Sequence, residues 1–128
     1  MRLVAVAVDY DGTLARDGIV DGETLKALHA ARATGRKLIL VTGRHLPDLL
    51  DIFPEIGVFD RVIAENGSLL YRPGTHEEKP LSAPMPEKLI HELERRGVTP
   101  LAVGRASAAT WQPHENTVLQ TIDRKSVV

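Results

Sequence analysis

Cysteine is absent from the 128 residues, which excludes a disulfide framework and a thiolate zinc site. Aromatic residues make up only 4%, too few for the stacking platforms that bind single-stranded nucleic acid. Neither sign of charge dominates: 16 Lys and Arg against 17 Asp and Glu leave a net charge of −1. No basic field therefore draws in nucleic acid. Long apolar runs are missing too. The opening "MRLVAVAV" is stopped by Asp9, and no stretch approaches the ~18 apolar residues of a membrane span. These absences predict a soluble, cytoplasmic protein with no nucleic-acid partner and no membrane partner.

What is there reads as strands alternating with helices. "LVAVAV" (3–8) is continuously apolar, as in a parallel-sheet strand buried on both faces. Residues 22–34 place Leu25, Leu28 and Ala31 at helical spacing, with Asp21 as N-cap and Gly35 as stop. "KLILV" (37–41) predicts a second strand, Pro47 to about Phe53 a short helix, and "RVIAE" (61–65) a third strand. Strand, helix, strand, helix, strand is the pattern of right-handed βαβ units. "NGSLLYRPGTHEEKP" then reads as a hairpin turning at Pro73-Gly74, and Pro80, Pro84 and Pro86 punctuate a linker. A helix over 86–97 follows, then a strand over about 99–111 carrying Trp111. A last helix begins near Pro113, with Val118, Leu119 and Ile122 as its apolar residues. The division predicted is 1–72 and 73–128.

Three clusters fall at the predicted carboxyl ends of the strands, where ligand sites of parallel sheets lie. Asp9 and Asp11 follow the first strand, Thr42-Gly43-Arg44 the second, and Glu65-Asn66-Gly67 the third. Two carboxylates at i and i+2 of an extended chain face one side. Holding them together favours a bound cation or a shared proton. Such a pair can ligate Mg²⁺, act as general acid or attack as a nucleophile; it is also compatible with a solvated Asx-type turn. A threonine hydroxyl, a glycine backbone and a guanidinium suit an oxyanion, although the same residues serve an ordinary strand-to-helix loop. Glu65-Asn66-Gly67 alone reads as a turn.

Together, "VDYDGTL", "VTGR" and "ENGSLLY" resemble the haloacid dehalogenase (HAD) superfamily. The likeness is greatest to the Cof-type, sugar-phosphate-phosphatase branch, closely over 1–71 and more loosely over 72–128. The resemblance implies an α/β fold, a Rossmann-like parallel sheet as an incomplete HAD-like core, followed by the start of an α+β cap. It implies a Mg²⁺-dependent phosphomonoester hydrolase of a small phosphorylated metabolite, a sugar phosphate, working through an aspartyl-phosphate. Asp9 would be the nucleophile and Asp11 the general acid and base. Mg²⁺ would be held by the Asp9 carboxylate and the Asp11 carbonyl. Thr42, Gly43, Arg44 and Asn66 would contact substrate.

The family pattern also has a later lysine and an acidic metal loop. Past residue 71, Lys79, Lys88, Lys125 and Asp123 do not fit those motifs. The alternative is therefore a catalytically weak or inactive phospho-ligand-binding or split-enzyme module. A sheet of three such strands would keep an open edge, suited to a homo-oligomer or a complementing chain. The five histidines are scattered, with no metal-ligand spacing.

Overall fold

The computed structural model describes residues 4–104, 108–110 and 114–122. They form two compact units, 1–81 and 82–128. In the first, β1 (Ala5–Asp9) pairs in parallel with β4 (Lys37–Val41), and β4 with β5 (Arg61–Ala64). Two antiparallel strands, β6 (Leu69–Arg72) and β7 (Glu77–Pro80), complete the order β1-β4-β5-β6-β7. The hairpin read from "NGSLLYRPGTHEEKP" is thus an extension of the same sheet. A further hairpin of two-residue strands, β2 (Ala15–Arg16) and β3 (Ile19–Val20), stands just after β1.

Helix α1 (Gly22–Ala33) starts where the sequence predicts. The Asp21 side chain accepts the Thr24 N–H at 2.8 Å, capping the first turn. Gly35 follows at φ +89°, a left-handed conformation that glycine adopts at little cost. Helix α2 (Leu46–Ile52) has Pro47 in its first turn and runs into a 3₁₀ segment at Pro54–Val58. Leu28 of α1 and Leu46 and Leu49 of α2 pack with Leu38, Leu40, Val62 and Tyr71 of the sheet in one buried cluster.

That cluster lies on one face only, and here a sequence expectation fails. β1 was expected to be buried on both faces. Instead Val6 and Val8 are half-buried, while Ala5, Ala7 and Asp9 are exposed. Along β4, Leu38 and Leu40 are buried, Ile39 is half-buried, and Lys37 and Val41 are exposed. The reason is coverage: β1 stands at the edge of the sheet, and the core cluster fills one side of it.

In the second unit, α3 (Glu87–Arg95) follows Pro86, and Gly97 at φ +76° closes it. The single strand expected over 99–111 is instead an antiparallel pair, β8 (Leu101–Val103) and β9 (Ala108–Thr110). Helix α4 (Glu115–Ile122) turns Val118 toward Leu89, Leu93 and Val98 of the second cluster. Its buried inward residue is Thr121, while Leu119 and Ile122 are exposed. Trp111, Pro113, Asp123 and Lys125 lie outside the described residues.

Candidate active site

Sheet register brings the three strand ends into line. Asp9 lies opposite Val41, and Val41 opposite Ile63. The segments that follow, 9–12, 42–44 and 65–67, therefore emerge side by side along one edge. Backbone bonds tie the last two together: the Thr42 N–H donates to the Ile63 carbonyl at 2.9 Å. The Glu65 N–H donates to the Arg44 carbonyl at 3.0 Å, and the Asn66 N–H to the Thr42 carbonyl at 3.2 Å.

The loop after β1 is equally constrained. Asp9 is exposed at the strand end, with Thr13 Oγ1 donating to its Oδ2 across 3.5 Å. Tyr10, between the two aspartates, is fully buried against Phe53, ring centroids 5.6 Å apart. Its hydroxyl donates to the Gly18 carbonyl at 2.7 Å, anchoring the β2–β3 turn to the strand end. Burial pushes the Tyr10 phenol above its ordinary pKa, against the opposing charge of Arg44. Gly12 at φ +77° supplies the left-handed step in this turn, its N–H donating forward to the Ala15 carbonyl at 3.0 Å while the Ala15 N–H donates back to the Tyr10 carbonyl at 2.9 Å.

Asp11 does not share a focus with Asp9. Both its oxygens accept from Arg44, Nε at 2.8 Å and Nη2 at 2.9 Å. This fork holds the Asp11 carboxyl below the usual carboxylate range. Arg44 is correspondingly pushed up, by hydrogen bonds first to Asp11 and then to Asp48. Thr42 is buried at 3% exposure, its Oγ1 accepting the Arg44 N–H at 3.1 Å. Gly43 faces Asn66: a Cβ there would sit 2.7 Å from Asn66 Oδ1. Asn66 can lie so close because Glu65 and Asn66 are both left-handed, φ +52° and +55°, a local strain of the kind that gathers at functional sites.

The structure thus joins Asp11 to Arg44, and Asn66 to Thr42 and Gly43. A cavity of about 880 Å³ opens on the Asp11–Arg44 side, lined also by Thr13, Arg16, Asp21 and Thr24. Asp9, Thr42 and Asn66 are not part of its lining. Among the described residues, no three His, Asp or Glu side chains converge as a metal-holding group. The donors at hand are an exposed Asp9 carboxylate and loop carbonyls, the Asp11 carboxylate being committed to Arg44. Such a set fits a hard cation that keeps most of its waters, as Mg²⁺ does, rather than a fully caged ion.

Three contributors were not identified from the sequence: Tyr10, Gly18 and Asp48. Asp48 accepts the Arg44 Nη1 proton at 2.7 Å. The i,i+4 spacing of Arg44 and Asp48 at the start of a helix was the signal that could have found it.

The phosphoglycolate phosphatase of Halobacterium salinarum is 40% identical over 67 residues, 52% of this chain and 28% of its own. A solved structure described as the HAD subclass IIB sugar phosphatase BT4131 matches with a TM-score of 0.58 at 26% identity. The match takes in 93% of this chain and 47% of that one. Thermoplasma acidophilum 0175 shares the fold, with a TM-score of 0.68 at 20% identity over 94% of this chain and 56% of its own. The matched stretches span 28% of the length of the first two curated relatives. The profile of the haloacid dehalogenase-like hydrolases matches residues 6–124, nearly the whole chain, and the chain belongs to that family.

Proposed function

We propose that the chain carries the nucleophile-bearing part of a Cof-type HAD phosphatase, a Mg²⁺-dependent phosphomonoester hydrolase whose substrate is a small phosphorylated metabolite such as a sugar phosphate. The observation that supports it most is the alignment of Asp9, Thr42 and Asn66 on adjoining strand ends, with Asp11 and Arg44 beside them. In this reading an Asp9 oxygen attacks phosphorus and the P–O bond to the leaving group breaks. Asp11, released from Arg44 and carrying a proton, gives that proton to the leaving oxygen. Water then attacks the aspartyl-phosphate, Asp11 takes the proton back, and phosphate leaves with the Asp9 carboxylate restored. Thr42 Oγ1 and the backbone at Gly43 would bind phosphoryl oxygens, and Arg44 and Asn66 would line the substrate entrance. Mg²⁺, held by the Asp9 carboxylate and the Asp11 carbonyl, would offset the negative charge of the phosphoryl group.

The test is hydrolysis of p-nitrophenyl phosphate with millimolar Mg²⁺, beside Asp9→Asn and an EDTA control. Turnover abolished by both is the expected result. Turnover no higher than that of Asp9→Asn would overturn the reading for this chain and leave a phospho-ligand-binding or split-enzyme module.

A further inference from the structure

Arg44 is held from three directions. Its Nε and Nη2 edge grips Asp11 at 2.8 and 2.9 Å. Its Nη1 donates to Asp48 at 2.7 Å from the other side. Its guanidinium carbon lies 5.7 Å from the centroid of the Tyr10 ring, a cation–π distance. Tyr10 is a firm seat, because its ring is fully buried and its hydroxyl is bonded to the Gly18 carbonyl.

These restraints differ in what chemistry asks of them. Under the proposed function, on which this inference rests, Asp11 must leave Arg44 to reach the leaving oxygen. A carboxylate with both oxygens inside an arginine fork cannot do so in place. Once Asp11 departs, the Nε and Nη2 edge is open, and that edge is shaped for two oxygens of one anion. An arginine side chain released from its partners would scatter among rotamers and lose that geometry. Asp48 and the Tyr10 ring remain.

We propose that Asp48 is a positioning residue: it holds the Arg44 guanidinium over the Tyr10 ring, with the edge vacated by Asp11 turned toward the incoming phosphoryl oxygens. Its place supports this. Asp48 lies in the first turn of α2 and is exposed, 60% on its side chain, whereas Arg44 is 27% exposed. The carboxylate is thus anchored to a helix while it reaches the rim of the site.

The test follows the Arg44 Nη1 protons by ¹⁵N NMR in the full chain, without substrate. Removing Asp11 with Asp11→Ala should leave them in slow exchange, because Asp48 still accepts from Nη1; adding Asp48→Asn should make them exchange fast. Binding of inorganic phosphate gives the second readout. Asp48→Asn should weaken it about tenfold, the effect of one charge-assisted hydrogen bond, and Asp48→Glu should restore most of it. In an Arg44→Gln background, Asp48→Asn should change phosphate affinity no further. Equally slow exchange in Asp11→Ala with and without Asp48→Asn would overturn the proposal. So would an Asp48→Asn effect on phosphate that persists undiminished without Arg44, since Asp48 would then act on the α2 terminus alone. The exchange readout needs neither turnover nor phosphate. A chain that shows the expected exchange pattern yet hydrolyses nothing would retain the positioning role and lose the phosphatase reading.

Discussion

A single methyl group separates Gly43 from a clash. Gly43 has no left-handed φ to protect, so its backbone would accept alanine; the obstacle is Asn66 Oδ1, 2.7 Å from where the Cβ would stand. Gly43→Ala should therefore displace the Asn66 side chain with little effect on folding. The expected outcome is a fall in kcat/KM of about tenfold, ~1.4 kcal/mol of transition-state binding, with urea stability changed by less than about 1 kcal/mol. Steady-state kinetics beside a urea melt would separate the two, and a loss of stability without loss of kcat/KM would refute the argument. At this scale the sequence named Asp9, Asp11, Thr42, Gly43, Arg44 and Asn66 through their motifs. It was silent on how they pair. The Asp11–Arg44 fork joins residues 33 apart in the chain, a closeness created by sheet register. Nor does any composition rule announce that Glu65, buried at 1% exposure, takes a left-handed φ of +52°.

At the scale of elements, α3 carries a pH dependence that its sequence spacing explains. Glu92 accepts from Arg96 Nε at 2.8 Å and from Arg95, three and four residues along one helix face. Hydrogen bonds from Arg95, then from Arg96, hold its carboxyl down to about 2. A group whose folded pKa is lowered contributes stability above its unfolded value, here 4.5, and loses it as pH falls toward 2. The carboxyl ¹³C shift of Glu92 should accordingly titrate well below 4.5. The decline of α3 helicity between pH 4.5 and 2 should be smaller in Glu92→Gln than in the parent chain. A Glu92 titration at the ordinary glutamate value would show that the pairs do not persist in solution. Elements with clear punctuation were legible: Asp21 and Gly35 bracket α1, and Pro86 and Gly97 bracket α3. The β2–β3 hairpin was not, because two-residue strands are too short to show a period. β8 and β9 merged into one expected strand for a related reason, as their short runs carry no turn dipeptide that periodicity can read.

For the molecule as a whole, the order of strand ends was readable and the sidedness of the sheet was not. An unbroken run such as "LVAVAV" fits a strand covered on both faces, yet β1 (Ala5–Asp9) stands at the sheet's edge with Ala5 and Ala7 in the open. Adjacent residues of β4 test that sidedness. Leu40 is fully buried in the core cluster, while its neighbour Val41 points to the other face and is 40% exposed. Leu40→Ala should cost about 2–5 kcal/mol, transfer plus cavity. Val41→Ala should cost less than about 1 kcal/mol, since little packing is lost and only strand propensity changes. Urea unfolding at two protein concentrations adds the decisive comparison. If a second copy of the chain covers this face, the Val41→Ala cost will rise with concentration while the Leu40→Ala cost stays fixed, because only the first acts on a contact between molecules. Equal costs for the two substitutions even at the lowest concentration would mean that both faces of β4 are packed within one molecule, and the one-sided sheet described here would be wrong.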